Sequence, residues 1–496
     1  MPTYEARFIP STDSGTVAMS CSLSPSLSVS RLIVLPLISI GFCLAGCGDK
    51  SNETTGRASG ENPVSSVGDT GSANSVGYQV QDLELELDDI EARPVNQLAG
   101  PDWPQILGPG RNGVATGETL LNEWADNGPE LLWARAVGEG NAGVVVVAGN
   151  VIVFHRHNKF LICEALDAAT GEPFWRTKID AGRRNALMDG DAGPKATPLV
   201  DDGRIFLFDH EGWLICLNLS DGSEQWMRNV RDDFAAPPGY FGSGASPAMI
   251  DGKLIVTVGG ENSAVVAFDP ETGDEIWQAF DDRASYASPV QAEFNGRTVI
   301  VALSRTNLLG LSPEDGEVLF QTGFGRAGAT ARGATPVVFD QHIFLNEAYG
   351  VGAKLIDISG EEISVTWEND DSFSSQYSTP CIYEGHLYGT AGREDHGNGS
   401  LRCVEALTGE IKWNMDGVPV GHTVMAGNLV ILFGHQGKLT LFEATPDSFK
   451  QLGSARIFER GISRAIPALS NGRLFVRSNA RAGTGVLKCF KVGETN

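Results

Sequence analysis

The sequence predicts an all-β fold, an eight-bladed β-propeller with four antiparallel strands in each blade. Three observations lead to this prediction. A unit of four short apolar strands joined by three turns recurs eight times between about residue 130 and residue 492. An aromatic residue closes most of these units. The eighth unit has no fourth strand, whereas an isolated strand with a closing Trp precedes the first unit.

The first hairpin turn of each unit gives the period of the repeat, which is about 45 residues. Asp-Gly and Asn-Gly pairs are common at this turn because they adopt the positive φ angles that a two-residue hairpin requires. The eight turns are Gly149-Asn150, Asp202-Gly203, Asp251-Gly252, Asn295-Gly296, Asp340-Gln341, Glu384-Gly385, Gly427-Asn428 and Asn471-Gly472. Short strands at such regular spacing are typical of propeller blades.

Six units end in an aromatic residue, and we expect these side chains to pack between neighbouring blades rather than to bind a ligand. They are Trp175, Trp226, Trp277, Phe320, Trp367 and Trp413. The seventh unit loses the pattern after Glu443. Residues 130–137 carry Trp133 at the equivalent position, so we expect this strand to complete the eighth blade. Closure of the ring would remove the exposed edges of an open array.

The segments around these turns resemble a known family. Residues 166–175, 268–277 and 405–413 are similar to the tryptophan-docking repeats of pyrrolo-quinoline quinone (PQQ)-like propellers. Residues 102–113 resemble the lead-in of bacterial secreted members of that family. The resemblance covers about residues 100 to 492 and implies the propeller of the quinoprotein alcohol dehydrogenase type. It leaves the function open, because this fold hosts both dehydrogenases and non-catalytic scaffolds.

An N-terminal segment indicates export. The apolar run 32–46 is too short to span a bilayer and reads as the core of a signal peptide. It ends in Leu-Ala-Gly before Cys47, which resembles a bacterial lipobox, so we expect Cys47 to be lipidated and the protein to face the periplasm. The predicted organisation is a lipoprotein signal peptide (1–46), a flexible Ser/Gly/acidic tether (47–100), a lead-in segment (101–129) and the propeller (130–496).

The acidic end of the predicted tether allows two interpretations. Residues 82–89 alternate between acidic and apolar side chains, a period that suits a strand. A solvated acidic run explains the same composition.

Composition and missing motifs exclude several functions. The net charge of −25 argues against nucleic-acid binding. No adjacent Cys pair occurs, although quinoprotein alcohol dehydrogenases of this fold characteristically carry one beside the cofactor. We expect no metal site, because His155 and His157 have no third ligand at a suitable spacing. The repeats place Cys163, Cys216, Cys403 and Cys489 at equivalent positions, where we expect buried free thiols.

The residues that lead into the innermost strands are candidates for a binding site at one mouth of the central channel. They are Lys195, Tyr286, Arg332, Tyr377 and Arg464. Cations and tyrosines around one axis of an acidic protein suit a small anionic or sugar-like ligand, or a peptide segment. The alternative is that these side chains only fill a narrow wet channel. On the first interpretation, replacing Arg332 or Arg464 would weaken binding and change stability little.

Two functions remain. The lipobox, tether and acidic surface resemble the BamB-type lipoprotein of the outer-membrane barrel assembly machinery, which implies a membrane-anchored module that binds a protein or envelope component and needs no cofactor. The other function is a dehydrogenase that oxidises an alcohol or polyol and requires PQQ with calcium. The missing Cys pair and the lack of a recognisable calcium constellation favour the binding module.

We predict that replacing Cys47 with Ser releases the protein from membranes, because the acylated thiol would be lost. Fractionation of cells followed by immunoblotting measures this. A wild-type chain that is already soluble would contradict the prediction.

Overall fold

The computed structural model describes Tyr78 and residues 83–125, 127–182, 193–328, 330–397, 399–459, 461–479 and 484–494. All of them belong to one compact unit, Asp69–Asn496. The predicted signal peptide and Cys47 lie outside these residues. Within them, no helix is long and apolar enough to cross a bilayer.

The described strands form eight antiparallel sheets of four strands each, as the repeats predict. Blades 1 to 4 follow one another along the chain: β2 (Val145–Val147), β3 (Asn150–His157), β4 (Phe160–Asp167) and β5 (Pro173–Asp180); β6 (Leu199–Asp201), β7 (Arg204–Phe208), β8 (Trp213–Asn218) and β9 (Glu224–Asn229); β10 (Ala248–Ile250), β11 (Lys253–Gly260), β12 (Ser263–Phe268) and β13 (Glu275–Ala279); β14 (Val290–Phe294), β15 (Arg297–Leu303), β16 (Asn307–Leu311) and β17 (Val318–Gly323).

Blades 5 to 7 repeat this order, and blade 8 takes its outer strand from the N-terminal side of the propeller: β18 (Val337–Phe339), β19 (His342–Glu347), β20 (Gly352–Asp357) and β21 (Ser364–Asn369); β22 (Cys381–Tyr383), β23 (His386–Ala391), β24 (Gly399–Glu405) and β25 (Ile411–Val418); β26 (Gly421–Ala426), β27 (Leu429–Gly434), β28 (Lys438–Glu443) and β29 (Lys450–Arg456); β30 (Ala468–Ser470), β31 (Arg473–Asn479), β32 (Gly485–Lys491) and β1 (Glu130–Val137). Two short helical pieces interrupt the loops, α1 (Val230–Asp233) and a 3₁₀ turn (Glu394–His396).

Ring closure by residues 130–137 is confirmed. Strand β1 pairs antiparallel with β32, and Trp133 lies opposite Cys489. The Trp133 indole nitrogen donates to the carbonyl of Ala168 in blade 1, at 3.1 Å. The first and last blades are therefore joined by the same contact that joins most of the other blades.

That contact is a tryptophan docked on the outer turn of the next blade. Trp175 donates its indole N–H to the Leu219 carbonyl at 2.9 Å. Its ring lies over Gly222, where an added Cβ would come within 2.4 Å of the ring and where φ is +71°. Only glycine meets both conditions without strain. The equivalent ring–glycine pairs are Trp133–Gly171, Trp226–Gly273, Trp277–Gly316 and Trp367–Gly409.

Blade 7 lacks this tryptophan, and the lead-in segment supplies one. Gly453 pairs with Leu441 just before the strand irregularity, the register at which Trp175 pairs with Ala165 in blade 1. The ring of Trp124 lies over Gly453, with its nearest atom 3.0 Å from the position of an added Cβ. Trp124 packs against the hydrophobic cluster that joins blades 7 and 8. The degenerate seventh unit is thus completed by a residue from outside the repeats.

The described part of the predicted tether contacts the propeller. Tyr78 is buried, and its hydroxyl lies 2.6 and 2.7 Å from the carbonyl oxygens of Asn127 and Pro129. Residues 83–92 form no strand but lie beside β5, where Lys178 pairs with Asp89 at 2.7 Å. The acidic run therefore covers the outer edge of blade 1.

We predict that Trp124→Ala destabilises the protein by about 2 to 3 kcal/mol, because it removes a half-buried ring from the joint between blades 7 and 8. Equilibrium urea unfolding measures the difference. The neighbouring Leu121, which is 38% exposed, provides the control, and Leu121→Ala should cost about 0.5 kcal/mol or less. Equal effects of the two substitutions would contradict the role of Trp124.

Candidate functional site

A chain of hydrogen bonds runs around the central axis at the start of the innermost strands. In blades 2 to 6 a Ser or Thr precedes the proline there, and its hydroxyl accepts a backbone N–H from the equivalent position of the preceding blade. The bonds are Gly143 to Thr197 (3.2 Å), Thr197 to Ser246 (2.8 Å), Ser246 to Ser288 (2.8 Å), Ser288 to Thr335 (3.4 Å) and Thr335 to Thr379 (2.8 Å). The Ser-Pro and Thr-Pro motifs therefore set the spacing of blades about the channel.

The lead-in segment crosses the channel. Trp103 exchanges backbone hydrogen bonds with Val146 of β2, at 2.7 and 2.9 Å. Further along, Ala115 donates to Met425 of β26 at 2.8 Å. Blades 1 and 7 are not sequential neighbours, and Pro104 and Gly113 extend these contacts to blade 2 and to Cys381 of blade 6. Because blades 2 and 6 face each other across an eight-membered ring, residues 103–115 must pass over the axis.

Arg111 fixes this crossing segment, residues 103–115, to the hydroxyl chain. Its guanidinium is buried and donates to the carbonyls of Pro247 at 2.9 Å and Ser246 at 3.2 Å. Burial lowers the Arg111 pKa to about 9. The Arg111 guanidinium binds these buried carbonyls, so it is not available to bind a ligand.

Arg332 lies in the loop before β18, beside Tyr286, but its side chain is buried rather than open to the mouth. Its side chain is 1% exposed, and it donates to the carbonyls of Ser304 at 2.8 Å and Arg305 at 2.7 Å. Its Nε lies 3.1 Å from the carboxylate of Glu347, which is fully buried. The reason is that the loop before β18 turns the guanidinium inward between blades 4 and 5. Arg332 is a structural cation rather than a group at an open mouth.

Tyr377 and Arg464 meet at one carboxylate that sequence reasoning missed. The Tyr377 hydroxyl donates to Glu394 at 3.1 Å, and the Arg464 guanidinium donates to both Glu394 oxygens, with Nε at 2.9 and 3.1 Å. Burial and the neighbouring Glu394 raise the pKa of Tyr377 well above its usual value. His422 donates to the Arg464 carbonyl at 2.9 Å, and burial lowers its pKa to about 4. These groups link blades 6, 7 and 8.

Lys195 and Tyr286 lie next to each other at the mouth. Gly244 stands between them, because a Cβ there would be 2.9 Å from the Tyr286 ring and 3.5 Å from Lys195. The Tyr286 hydroxyl accepts from the Phe241 backbone N–H at 2.9 Å. Phe241 in turn packs edge-to-face against Tyr240, which is 53% exposed. Gly333 lies in turn between Tyr286 and Tyr377, because a Cβ there would be 4.0 Å from the Cβ of Tyr286 and 3.1 Å from that of Tyr377. Four of the five residues therefore follow one another around the mouth, whereas the side chain of Arg332 is buried.

A polar pocket of about 470 Å³ lies on the same face, between blades 5 and 6. Its walls are the loop before β18, the turn between β19 and β20 and the turn that contains Glu394–His396. The charged and aromatic residues that line the pocket are Arg326, Tyr349, Arg393 and His396. Sequence reasoning passed over them because it considered only the residues directly before the innermost strands. Arg326 lies early in the loop before β18, and the other three lie in turns between second and third strands.

The described residues do not fit PQQ with calcium. No group of three His, Cys, Asp or Glu side chains in the described ranges could hold a metal ion. The described cysteines, Cys163, Cys216, Cys381, Cys403 and Cys489, are all buried free thiols, as expected for the four at equivalent positions. The crossing segment and Arg111 occupy the channel with the protein's own groups.

Comparison with known proteins supports this description of the fold. A family profile described as outer membrane protein assembly factor BamB matches residues 158–415, just over half of the chain. BamB of Kangiella koreensis is 24% identical over 211 residues, 42% of this chain and 49% of that protein. A quinohemoprotein alcohol dehydrogenase of Comamonas testosteroni is 25% identical over 212 residues, 40% of this chain and 28% of that enzyme.

A solved structure shows the same architecture. BamB from Moraxella catarrhalis superposes with a TM-score of 0.53 at 15% sequence identity, covering 73% of this chain and all of that one. The chain spans about half the length of the curated BamB relatives it matches.

We predict that Arg332→Ala lowers stability by about 3 to 5 kcal/mol, since it leaves the buried Glu347 carboxylate without its partner. This reverses the sequence-based expectation of an unchanged stability. Equilibrium unfolding measures the loss. Arg332→Ala with Glu347→Gln should recover part of it, and an Arg332→Ala variant as stable as the wild type would contradict the prediction.

Proposed function

Because this chain belongs to the PQQ-like repeat family described as outer membrane protein assembly factor BamB, we propose that it is a binding or scaffold module for outer-membrane protein assembly. In this proposal Cys47 carries a lipid that anchors the protein in the bacterial envelope, facing the periplasm. The partner is a protein of the assembly machinery. No cofactor is needed.

The proposal depends on one observation, which is that the protein's own residues occupy the central channel. The crossing segment bonds to innermost strands on facing sides of the ring, and Arg111 donates to the backbone carbonyls of Ser246 and Pro247. Arg332, which the sequence placed at the mouth, is buried against Glu347. A channel that the protein's own backbone and side chains cross suits a rigid support rather than a reaction chamber.

Exposed aromatic residues on the face around the mouth support the proposal that this face binds a protein. Tyr240 is exposed and packs edge-to-face against Phe241, whose ring centre lies 6.0 Å from that of Tyr286. Exposed aromatic side chains on a rigid scaffold are common anchors at protein interfaces. The loops that carry them are held by the blades, so little conformational entropy is lost when a partner binds.

Site-specific photo-crosslinking in the host tests the proposal. A photoreactive residue at position 240 should crosslink to a component of the outer-membrane assembly machinery, identified by mass spectrometry. The control position is 251, an exposed turn residue at the other end of the innermost strands. No crosslink to such a component from position 240, or equal crosslinking from both positions, would contradict the proposal.

The alternative is a PQQ-dependent alcohol or polyol dehydrogenase, which the similarity to a quinohemoprotein alcohol dehydrogenase supports. We predict no dye-linked alcohol oxidation after incubation of the purified protein with PQQ and Ca²⁺, because the described residues offer no calcium constellation. Turnover that requires both additions would favour the dehydrogenase over the binding module.

A further inference from the structure

We infer that the pocket formed by Arg326, Tyr349 and Arg393 binds a carboxylate of an acidic segment of a polypeptide partner. This inference rests on the proposed function, since it names the chemistry by which a protein partner would be recognised. The pocket lies on the face that carries Tyr240 and the starts of the innermost strands.

Tyr349 is held in an unusual backbone conformation. Its φ is +68°, in the left-handed region that a bulky residue rarely adopts. The hydroxyl accepts hydrogen bonds from the Gln376 side chain at 2.9 Å and from the Ala331 backbone N–H at 3.2 Å. A strained residue fixed at both ends indicates that the position of this ring matters.

Tyr349 in turn positions two arginines. The guanidinium carbon of Arg393 lies 4.2 Å from the centre of the Tyr349 ring, a close cation–π contact. Arg326 donates through Nη1 to the Tyr349 carbonyl at 2.8 Å. One guanidinium group therefore contacts the ring of Tyr349, and the other donates a hydrogen bond to its backbone carbonyl.

Both arginines keep N–H groups for a ligand. Arg393 donates to Asp395 through Nε and Nη2, with Nε at 3.0 Å from the carboxylate. The structure gives its Nη1 no partner among the described residues. Arg326 is exposed, and among the described residues its only hydrogen bond is the one to Tyr349. The free N–H groups belong to planar forks, which match the two oxygens of a carboxylate.

Asp395 shows which chemistry the pocket accepts. Its side chain is 51% exposed, and its two oxygens bond to two nitrogens of Arg393. This arrangement is the one expected for a partner's Asp or Glu. Asp395 also competes with that partner, because it offsets one of the two positive charges. Removal of its charge should therefore strengthen binding of an acidic segment.

The setting favours a peptide over a free ion. The pocket is an open cleft of about 470 Å³ rather than a closed cradle, and Ala327, Tyr349 and Gly350 are among the residues that line it. The whole chain carries a net charge of −25, so this pair of cations is a local site of attraction for an acidic segment on an otherwise acidic protein.

The experiment uses two blocked pentapeptides, acetyl-Gly-Asp-Glu-Asp-Gly-amide and its neutral counterpart acetyl-Gly-Asn-Gln-Asn-Gly-amide, and inorganic phosphate. Isothermal titration calorimetry measures their binding to the full chain at low salt. We expect the acidic peptide to bind and the neutral one not to bind. Arg326→Gln and Arg393→Gln should each raise the Kd at least fivefold, whereas Asp395→Asn should lower it at least twofold.

Arg297→Gln is the matched control, because Arg297 is an exposed arginine on β15 and does not line the pocket. It should leave the Kd of the acidic peptide unchanged. Thermal unfolding of each variant shows that a loss of binding does not come from misfolding.

Three results would overturn the inference. These are equal binding of the two peptides, a Kd that does not respond to the pocket variants, and phosphate that binds more tightly than the peptide and displaces it. In the last case the pocket takes a phosphate group. The crosslinking at position 240 is independent of these outcomes: crosslinks without peptide binding contradict only the pocket, whereas peptide binding without crosslinks contradicts the assembly role.

Discussion

The chain of hydroxyl-to-amide hydrogen bonds around the axis is the interaction on which the arrangement of the blades depends. Each Ser or Thr hydroxyl, such as those of Ser246 and Ser288, accepts the N–H of the preceding blade. The following proline holds the backbone extended, so the hydroxyl stays in reach of its donor. Further out, the docked tryptophans fix the same neighbours a second time. Neighbouring blades are thus held together both near the axis and farther from it. Two contacts at different distances from the axis fix the angle between blades, whereas a single contact would leave it free.

The residues before the first repeat complete the blades that the repeats leave unfinished. Strand β1 completes blade 8, Trp124 covers Gly453 in blade 7, and the crossing segment (residues 103–115) fills the axis. Each of these contacts satisfies backbone polar groups or apolar surface that would otherwise meet water. The lead-in segment is consequently part of the folded body, and the binding surface we propose is supported from the opposite end of the channel.

The candidate site was only partly predictable. The five residues at the starts of the innermost strands do lie near one face, but their charges are directed differently. Arg332 is neutralised by buried Glu347, and Arg464 is held by Glu394 from another blade. The sequence shows which residue begins a strand, yet a long side chain can turn inward or outward from the same position. The pocket at Arg326 and Arg393 is formed by loops and turns whose lengths do not follow the repeat, so the repeat pattern does not predict it.

The sequence by itself determined the number of blades, the closing strand and the tryptophan contacts. Each of these follows from a local pattern that repeats, namely turn residues with positive φ, apolar alternation and a Trp at a fixed distance from a Gly. The tertiary structure alone decided that Trp124 substitutes for a missing Trp, that residues 103–115 cross the axis and that Tyr349 brings two arginines together. These contacts join segments that are far apart in the chain, and no periodicity along the sequence encodes which distant segments meet.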